Sequence, residues 1–587
     1  MLSKKKRPDD ASSLPPEAKL QRNVRDLFGS NALPAHRIQS LVNDIADVSV
    51  PSFQGLRKPL GTNICRNLRR TFLKNCQWPK LYWAEVRVQC LRTSREVKQW
   101  CAFCLPHEYI HVLARLGDKE KVLDDSALDP LSKAHLEKCQ ALAGEKLLAL
   151  GLWGDGVPCN WDRTESVETC TLNLPGNGEY KLLRLPLTAV SRKQVTHNTF
   201  HDMQEVFAWG LQCCAAGVFP RERHDGSAFL PESDRARSGQ AGAGLGVRAA
   251  LVEVRGDWKF LKECFHFPGW NTKAGCCWKC TCTPAQARLS VGSLGLCVWV
   301  PDSVCACLCS GSLRLSLKVR DCGSAATWRS QRLSHWELVG RILENGHLVP
   351  PLLQAPWVDS SIFRIDWLHC ADQGVAADFL GNLLQALQRK CRGRTVAERM
   401  ESLWQKVQDF YKAKGVEDRL QALTAGMVQQ PKKSPKLRAS AAQCRALVPF
   451  GIQCAKELLR PARPIEQAMI CAAESLNQCY MALSGGSIFA SDVLKHHSTL
   501  FALQCVALES HVGKECKEWK VKPKLHLFLE LCSEGSKPAL FWTYRDEDFG
   551  GSVAARSRRR GGVLSVPVCS KNLLTRFQIH RPTIRMR

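Results

Sequence analysis

Two aspartates in this chain follow apolar runs of strand type. Asp155 lies between Gly154 and Gly156 after LLALGLW, and Asp257 closes VRAALVEVRGD. A third acid, Glu547, lies far downstream in a segment that can be helical. Carboxylates gathered from separate elements suit hard cations such as Mg2+ or Mn2+, which prefer oxygen ligands. Two such ions roughly 4 Å apart can activate an attacking oxygen and stabilise a leaving one at a phosphate. Without cations the same carboxylates repel one another. Singly, each acid has an ordinary reading. Asp155 fits a turn, Asp257 a helix cap, and Glu547 a solvated helix charge.

Cysteine and histidine offer a second chemistry. Cys277 and Cys280 have metal-ligand spacing, with Cys264, His266, Cys276 and Cys282 close in sequence. One Cys-x-x-Cys supplies half of a tetrahedral structural zinc site, which remote residues such as His369 or Cys370 would complete. Reduced core thiols are the alternative. The run Cys101-x-x-Cys104-x-x-His107-x-x-x-His111 is too compact for a zinc finger, and Leu105-Pro106-His107-Glu108 reads as a helix start.

The elements that must position these groups follow from the pattern. Residues 1–30 read as a disordered basic tail and 31–145 as a helical N-terminal region. From 146 the stretches LLALGLWGDGVPC, ETCTLNLP and KLLRLPLTAV form a three-strand meander. An amphipathic helix follows, with Phe200, Met203, Val206, Phe207, Leu211 and Cys214 on one stripe. VRAALVEVRGD is a fourth strand, and SIFRIDWLHC a fifth, running into a helix. This order predicts an α/β, ribonuclease H-like mixed five-stranded sheet over 146–374, with an irregular insertion at 284–319. In such a sheet carboxylates closing the first and fourth strands point into one pocket. Residues 375–519 read as a large helical insertion. Residues 520–587 complete the core with the Glu547 helix and a basic tail.

Composition limits what the chain can bind. A length of 587 residues suggests roughly two to four units. Lys and Arg outnumber Asp and Glu 82 to 55, a formal charge of +27, which favours a polyanion such as nucleic acid. No apolar run reaches about 18 residues, so a membrane span is not expected; the nearest candidate, Leu289 to Cys309, is broken by Pro301 and Asp302. Thirty cysteines behind an N-terminus without an apolar leader fit reduced thiols in an intracellular protein. Lys4, Lys5, Lys6 and Arg7 fit a nuclear import signal or a solvated basic end. Two further basic segments, Lys432 and Lys433 with Lys436 and Arg438, and Arg556, Arg558, Arg559 and Arg560, could neutralise phosphates.

Three passages resemble the DDE transposases of eukaryotic cut-and-paste elements, nearest the CACTA (En/Spm) type. PGWNTKAGCCWKC is similar to that family's Gly-Trp-Ser-Thr-Lys segment and Cys-x-x-Cys. DWLHCADQGVAADFL is similar to its Asp-x-x-His block. PKLHLF followed by FWTYRDEDFGG is similar to its Lys-x-His segment and Glu-x-x-Gly ending. The resemblance implies that Asp155, Asp257 and Glu547 bind the catalytic Mg2+ or Mn2+ ions, with Asp546 and Asp548 competing for the third place. It implies an accessory role for Asp366 and His369, a helical insertion that holds DNA, and a nuclear enzyme that cleaves and transfers DNA strands. Self-assembly on transposon ends is compatible with it. Three alternatives stay open: a DNA-binding protein that has lost catalysis, a nuclease without strand transfer, and a basic helical scaffold whose motif matches are accidental.

Overall fold

The computed structural model describes residues 15–581, apart from 31, 62, 75, 161, 163, 270–276, 282–321, 323–325, 485–488, 514–515 and 559–564. The 284–319 insertion, Lys4 to Arg7, Cys276 and Cys282 therefore lie outside the described residues. The chain is mixed α/β and divides into two compact units. The first comprises Met1–Gly256, Val349–Ile362 and Tyr544–Arg587, the second Asp257–Leu348 and Phe363–Thr543.

The first unit contains a hairpin of β1 (Tyr82–Gln89) and β2 (Glu96–Phe103). It also holds a sheet of β3 (Leu148–Pro158), β4 (Ser166–Asn173), β5 (Leu185–Ser191) and β6 (Ala249–Gly256). The sheet order is β5-β4-β3-β6; β3, β4 and β5 form an antiparallel meander, and β6 runs parallel to β3. A parallel neighbour cannot be reached through a tight turn, and the connection includes the Thr199–Ala216 helix. Its predicted stripe, Phe200, Met203, Val206, Phe207, Leu211 and Cys214, is buried. Strands β5 and β6 are buried along their whole length, which explains why they read as near-continuous apolar runs.

Four sequence expectations are corrected. The sheet has four described strands, not five. SIFRIDWLHC holds a short 3-10 turn at Ser360–Ile362 and leads into a π-helix at Leu368–Ala376. Its buried Arg364 has its guanidinium 4.1 Å from the Phe541 ring centroid and 3.5 Å from Glu534, and Asp366 is buried as well. Both parities of the run are thus enclosed, Phe363, Ile365 and Trp367 on one and the polar Arg364 and Asp366 on the other, which a half-buried strand would not do. The 31–145 region is not wholly helical. In YWAEVRVQ the alternate residues Tyr82, Ala84, Val86 and Val88 are buried, a period of two that builds the hairpin.

The proposed tail at 1–30 contains a helix at Pro16–Gly29, whose Val24 and Phe28 enter a core with Ile38, Val42, Phe53, Phe72 and Ile579. That last residue belongs to a helix at Val566–His580, where a basic tail was expected. Arg576 on this helix donates to the Phe28 carbonyl at 3.0 Å.

The second unit is mainly helical. Helices Ala377–Gln388, Val396–Lys414, Ala441–Leu458, Pro464–Ser484 and Ser491–Val512 occupy the stretch read as a helical insertion. No described helix is long and apolar enough to cross a membrane.

Candidate functional site

In the first unit Asp155 lies within β3 rather than at its end. The parallel ladder to β6 stops at Gly154, while pairing with β4 carries the strand on to Pro158. Asp155 is half-buried, and its Oδ1 accepts from the Gly156 amide at 2.7 Å. The Tyr544–Arg558 helix lies against this strand, with Trp153, Val157, Phe549 and Ala554 forming a small core. Gly550 is the contact point. A Cβ there would lie 3.3 Å from both Trp153 and Val157. It follows Glu547 by one turn, so the absence of a side chain lets the helix bring that acid down onto β3. Gly550→Val is expected to cost about 1–3 kcal/mol through overpacking, measurable by urea unfolding.

This packing resolves the three adjacent acids, since successive helical residues point about 100° apart. Asp546 is fully buried, bonded to Arg184 and 3.7 Å from Arg255. Asp548 is exposed. Glu547 is half-buried, and its carboxylate lies within 4.8 Å of that of Asp155. Two hard oxygen donors from distant parts of the sequence thus converge. That donor set fits Mg2+ or Mn2+.

Asp257 follows β6 by one peptide bond. Gly154 and Gly256 are the last partners in the parallel ladder of β3 and β6. In the second unit Asp257 caps the Trp258–Phe265 helix, its Oδ1 accepting from the Phe260 amide at 2.6 Å. Asparagine caps as well as aspartate, whereas alanine costs about 1 kcal/mol. Asp257→Ala is therefore expected to lower stability by that amount and Asp257→Asn to leave it unchanged. Thermal melting of both variants checks this.

Asp366 and His369 form a defined pair in the second unit. His369 Nδ1 lies 2.7 Å from Asp366 Oδ2, and Asp366 also accepts from the Thr543 amide at 2.9 Å and hydroxyl at 2.8 Å. Burial pushes the Asp366 carboxyl up, but His369 and Thr543 outweigh it and hold it below the usual carboxylate range. The π-helix carries His369 at its start, and Lys524 donates to the His369 carbonyl at 2.7 Å.

The thiols of Cys277 and Cys280 are buried and 3.6 Å apart. Their companions are His526 and Glu530, not the proposed His369 or Cys370. Cys370 instead donates to the Lys524 carbonyl, and His266 stacks on His347. The i, i+4 spacing of His526 and Glu530 was the available signal. Around Cys101 no described metal group forms. Cys101 bonds Thr188, burial pushes Cys104 up to about 12, and burial pushes His107 down to about 3. His107 packs edge-on to Trp209 as a core residue.

Lys432 and Lys433 are exposed, in the segment preceding the Ala441–Leu458 helix. Arg556 and Arg558 fall in the last turn of the Tyr544–Arg558 helix, and Arg559 and Arg560 lie outside the described residues. Trp258 is a core residue donating to the Pro268 carbonyl at 3.0 Å, and Trp542 has the Arg445 guanidinium 5.0 Å from its ring centroid. Comparison of the sequence with protein-family models and with curated proteins gives no match.

Proposed function

We propose that the chain is a metal-dependent DNA transposase, or a protein derived from one, with a ribonuclease H-like core. The observation that carries this reading is the approach of the Asp155 and Glu547 carboxylates within 4.8 Å. The sheet order supports it, because the first strand of the meander and the fourth strand lie side by side and parallel. Asp155 and Glu547 are the residues that would hold Mg2+ or Mn2+. Cations bound there would supply charge stabilisation for attacking and leaving oxygens at a phosphate.

The chain's own residues have separable tasks. Asp155 and Glu547 present oxygens from a strand and a helix held together by core packing. Asp366 fixes the ring of His369, which would contact a phosphate oxygen. Lys432 and Lys433, with the arginines from Arg556 to Arg560, would neutralise DNA phosphates and make binding strongly salt-dependent. The Lys4 to Arg7 cluster would direct import to the nucleus.

The test is Mg2+-dependent nicking of a supercoiled plasmid by the full chain. Covalent joining of a labelled oligonucleotide through its 3′ hydroxyl would separate a transposase from a nuclease. One observation favours a second reading, a DNA-binding protein without catalysis: an Asp257 oxygen is engaged as a helix cap. Salt-sensitive plasmid binding without nicking would support that reading and overturn the first.

A further inference from the structure

In the second unit a short segment and a late helix bring four ligand-type side chains to one point. Cys277 and Cys280 lie in the segment, and His526 and Glu530 lie one turn apart on the Lys524–Ser533 helix. The Cys277 sulfur is 3.4 Å from His526 Nε2 and 3.8 Å from Glu530 Oε1. The Cys280 sulfur is 3.7 Å from His526 Nε2, which is itself 3.4 Å from Glu530 Oε1. Zinc bonds of about 2.3 Å to sulfur and about 2.0–2.1 Å to nitrogen or oxygen set tetrahedral edges of about 3.3–3.8 Å. The observed spacings, including 3.6 Å between the sulfurs, match those edges.

The surroundings fit a closed metal site. The Lys279 amide donates to the Cys277 sulfur at 3.4 Å, which favours a thiolate. The Leu333 amide donates to the Lys279 carbonyl at 3.0 Å, fastening the segment to the neighbouring chain. Glu530 presents Oε1 to the cluster while Oε2 pairs with Arg332. Two thiolates and a carboxylate around a dication leave one negative charge, which Arg332 offsets. A disulfide is a poor alternative, since its sulfurs would lie about 2.05 Å apart. Thiol exchange is no better, because both cysteines are 0% exposed.

We propose that Cys277, Cys280, His526 and Glu530 form a closed, structural tetrahedral zinc site that ties the segment after Asp257 to the helix supporting His369. The support runs through Lys524, at the start of the same helix, which holds the His369 carbonyl. The two thiols would release their protons to solvent as the metal binds. The site stands apart from the transposase reading and does not depend on it.

The full chain, purified without chelator, is expected to carry about one zinc per molecule. An organomercurial should release that zinc into a chromogenic chelator. Cobalt substituted for zinc should give a thiolate charge-transfer band and intense tetrahedral d–d bands. Cys277→Ser should lose the metal, while Cys264→Ser and Asp155→Asn keep it. Should Cys277→Ser fail to fold, the release and cobalt measurements on the unaltered chain decide. Glu530→Ala should shift the d–d bands as water takes the fourth position. Metal-free protein with unchanged melting in chelator, or cobalt protein without the thiolate band, would overturn the site. Unshifted d–d bands in Glu530→Ala would overturn the four-ligand set.

Discussion

Asp155→Asn is expected to lower Mg2+-dependent plasmid nicking by more than about 100-fold, because even residues one step removed from a metal cost about 10–100-fold when replaced. The substitution keeps the shape of the side chain and removes its charge. Asp155 is half-buried and its carboxylate lies within 4.8 Å of Glu547. In metal-free protein two close carboxylates repel, so the variant should melt no lower than the unaltered chain. Adding Mg2+ should raise the melting temperature of the unaltered chain but not of the variant. Glu547→Gln should behave in the same way, while exposed Asp548→Asn should leave nicking unchanged. Equal nicking by Asp155→Asn and the unaltered chain would sink the metal-site reading.

Asp546→Asn is expected to act through stability instead. Asp546 is fully buried and pairs with Arg184, whose side chain is 8% exposed. Arg255 also lies near it at 3.7 Å, but retains Glu253 at 3.5 Å. Arg184 would keep only its bonds to the carbonyls of Lys181 and Leu183. Removing one partner of a buried ion pair costs about 3–5 kcal/mol because the other charge remains enclosed. For a unit of this size that lowers the melting temperature by roughly 5–8 °C. Calorimetry of the variant in chelator measures the loss independently of bound cations. A change below 1 kcal/mol would mean that the pair is solvated like a surface bridge.

Sequence patterning located the four-stranded sheet because its strands are short apolar runs separated by clear turn residues. It failed where patterns carry two meanings. FRIDWL reads as strand because Phe, Ile and Trp are enriched there, yet Arg364 and Asp366 are buried by partners far along the chain, Glu534 and Thr543. The β1–β2 hairpin was missed for the opposite reason. Its exposed positions carry charges such as Glu85 and Lys98, which also suit a solvated helix face. Among Asp546, Glu547 and Asp548, composition could not choose, because the choice depends on which helix face meets β3. The proposed zinc ligands were half legible. Cys-x-x-Cys is a local signal, whereas the pairing with His526 and Glu530 exists only after folding.

The first unit is assembled from separated stretches, and its last contribution, Tyr544–Arg587, supplies both the Glu547 helix and Ile579 of the N-terminal core. A ribosome delivers these pieces in order. The meander and β6 emerge with Trp153 and Val157 still lacking Phe549 and Ala554. Whatever Asp155 and Glu547 do together therefore has to wait for residues beyond 544 to leave the exit tunnel. Nascent chains carry one half of the pair only, and premature termination yields a polypeptide with an uncovered apolar strand for chaperones and proteases to recognise.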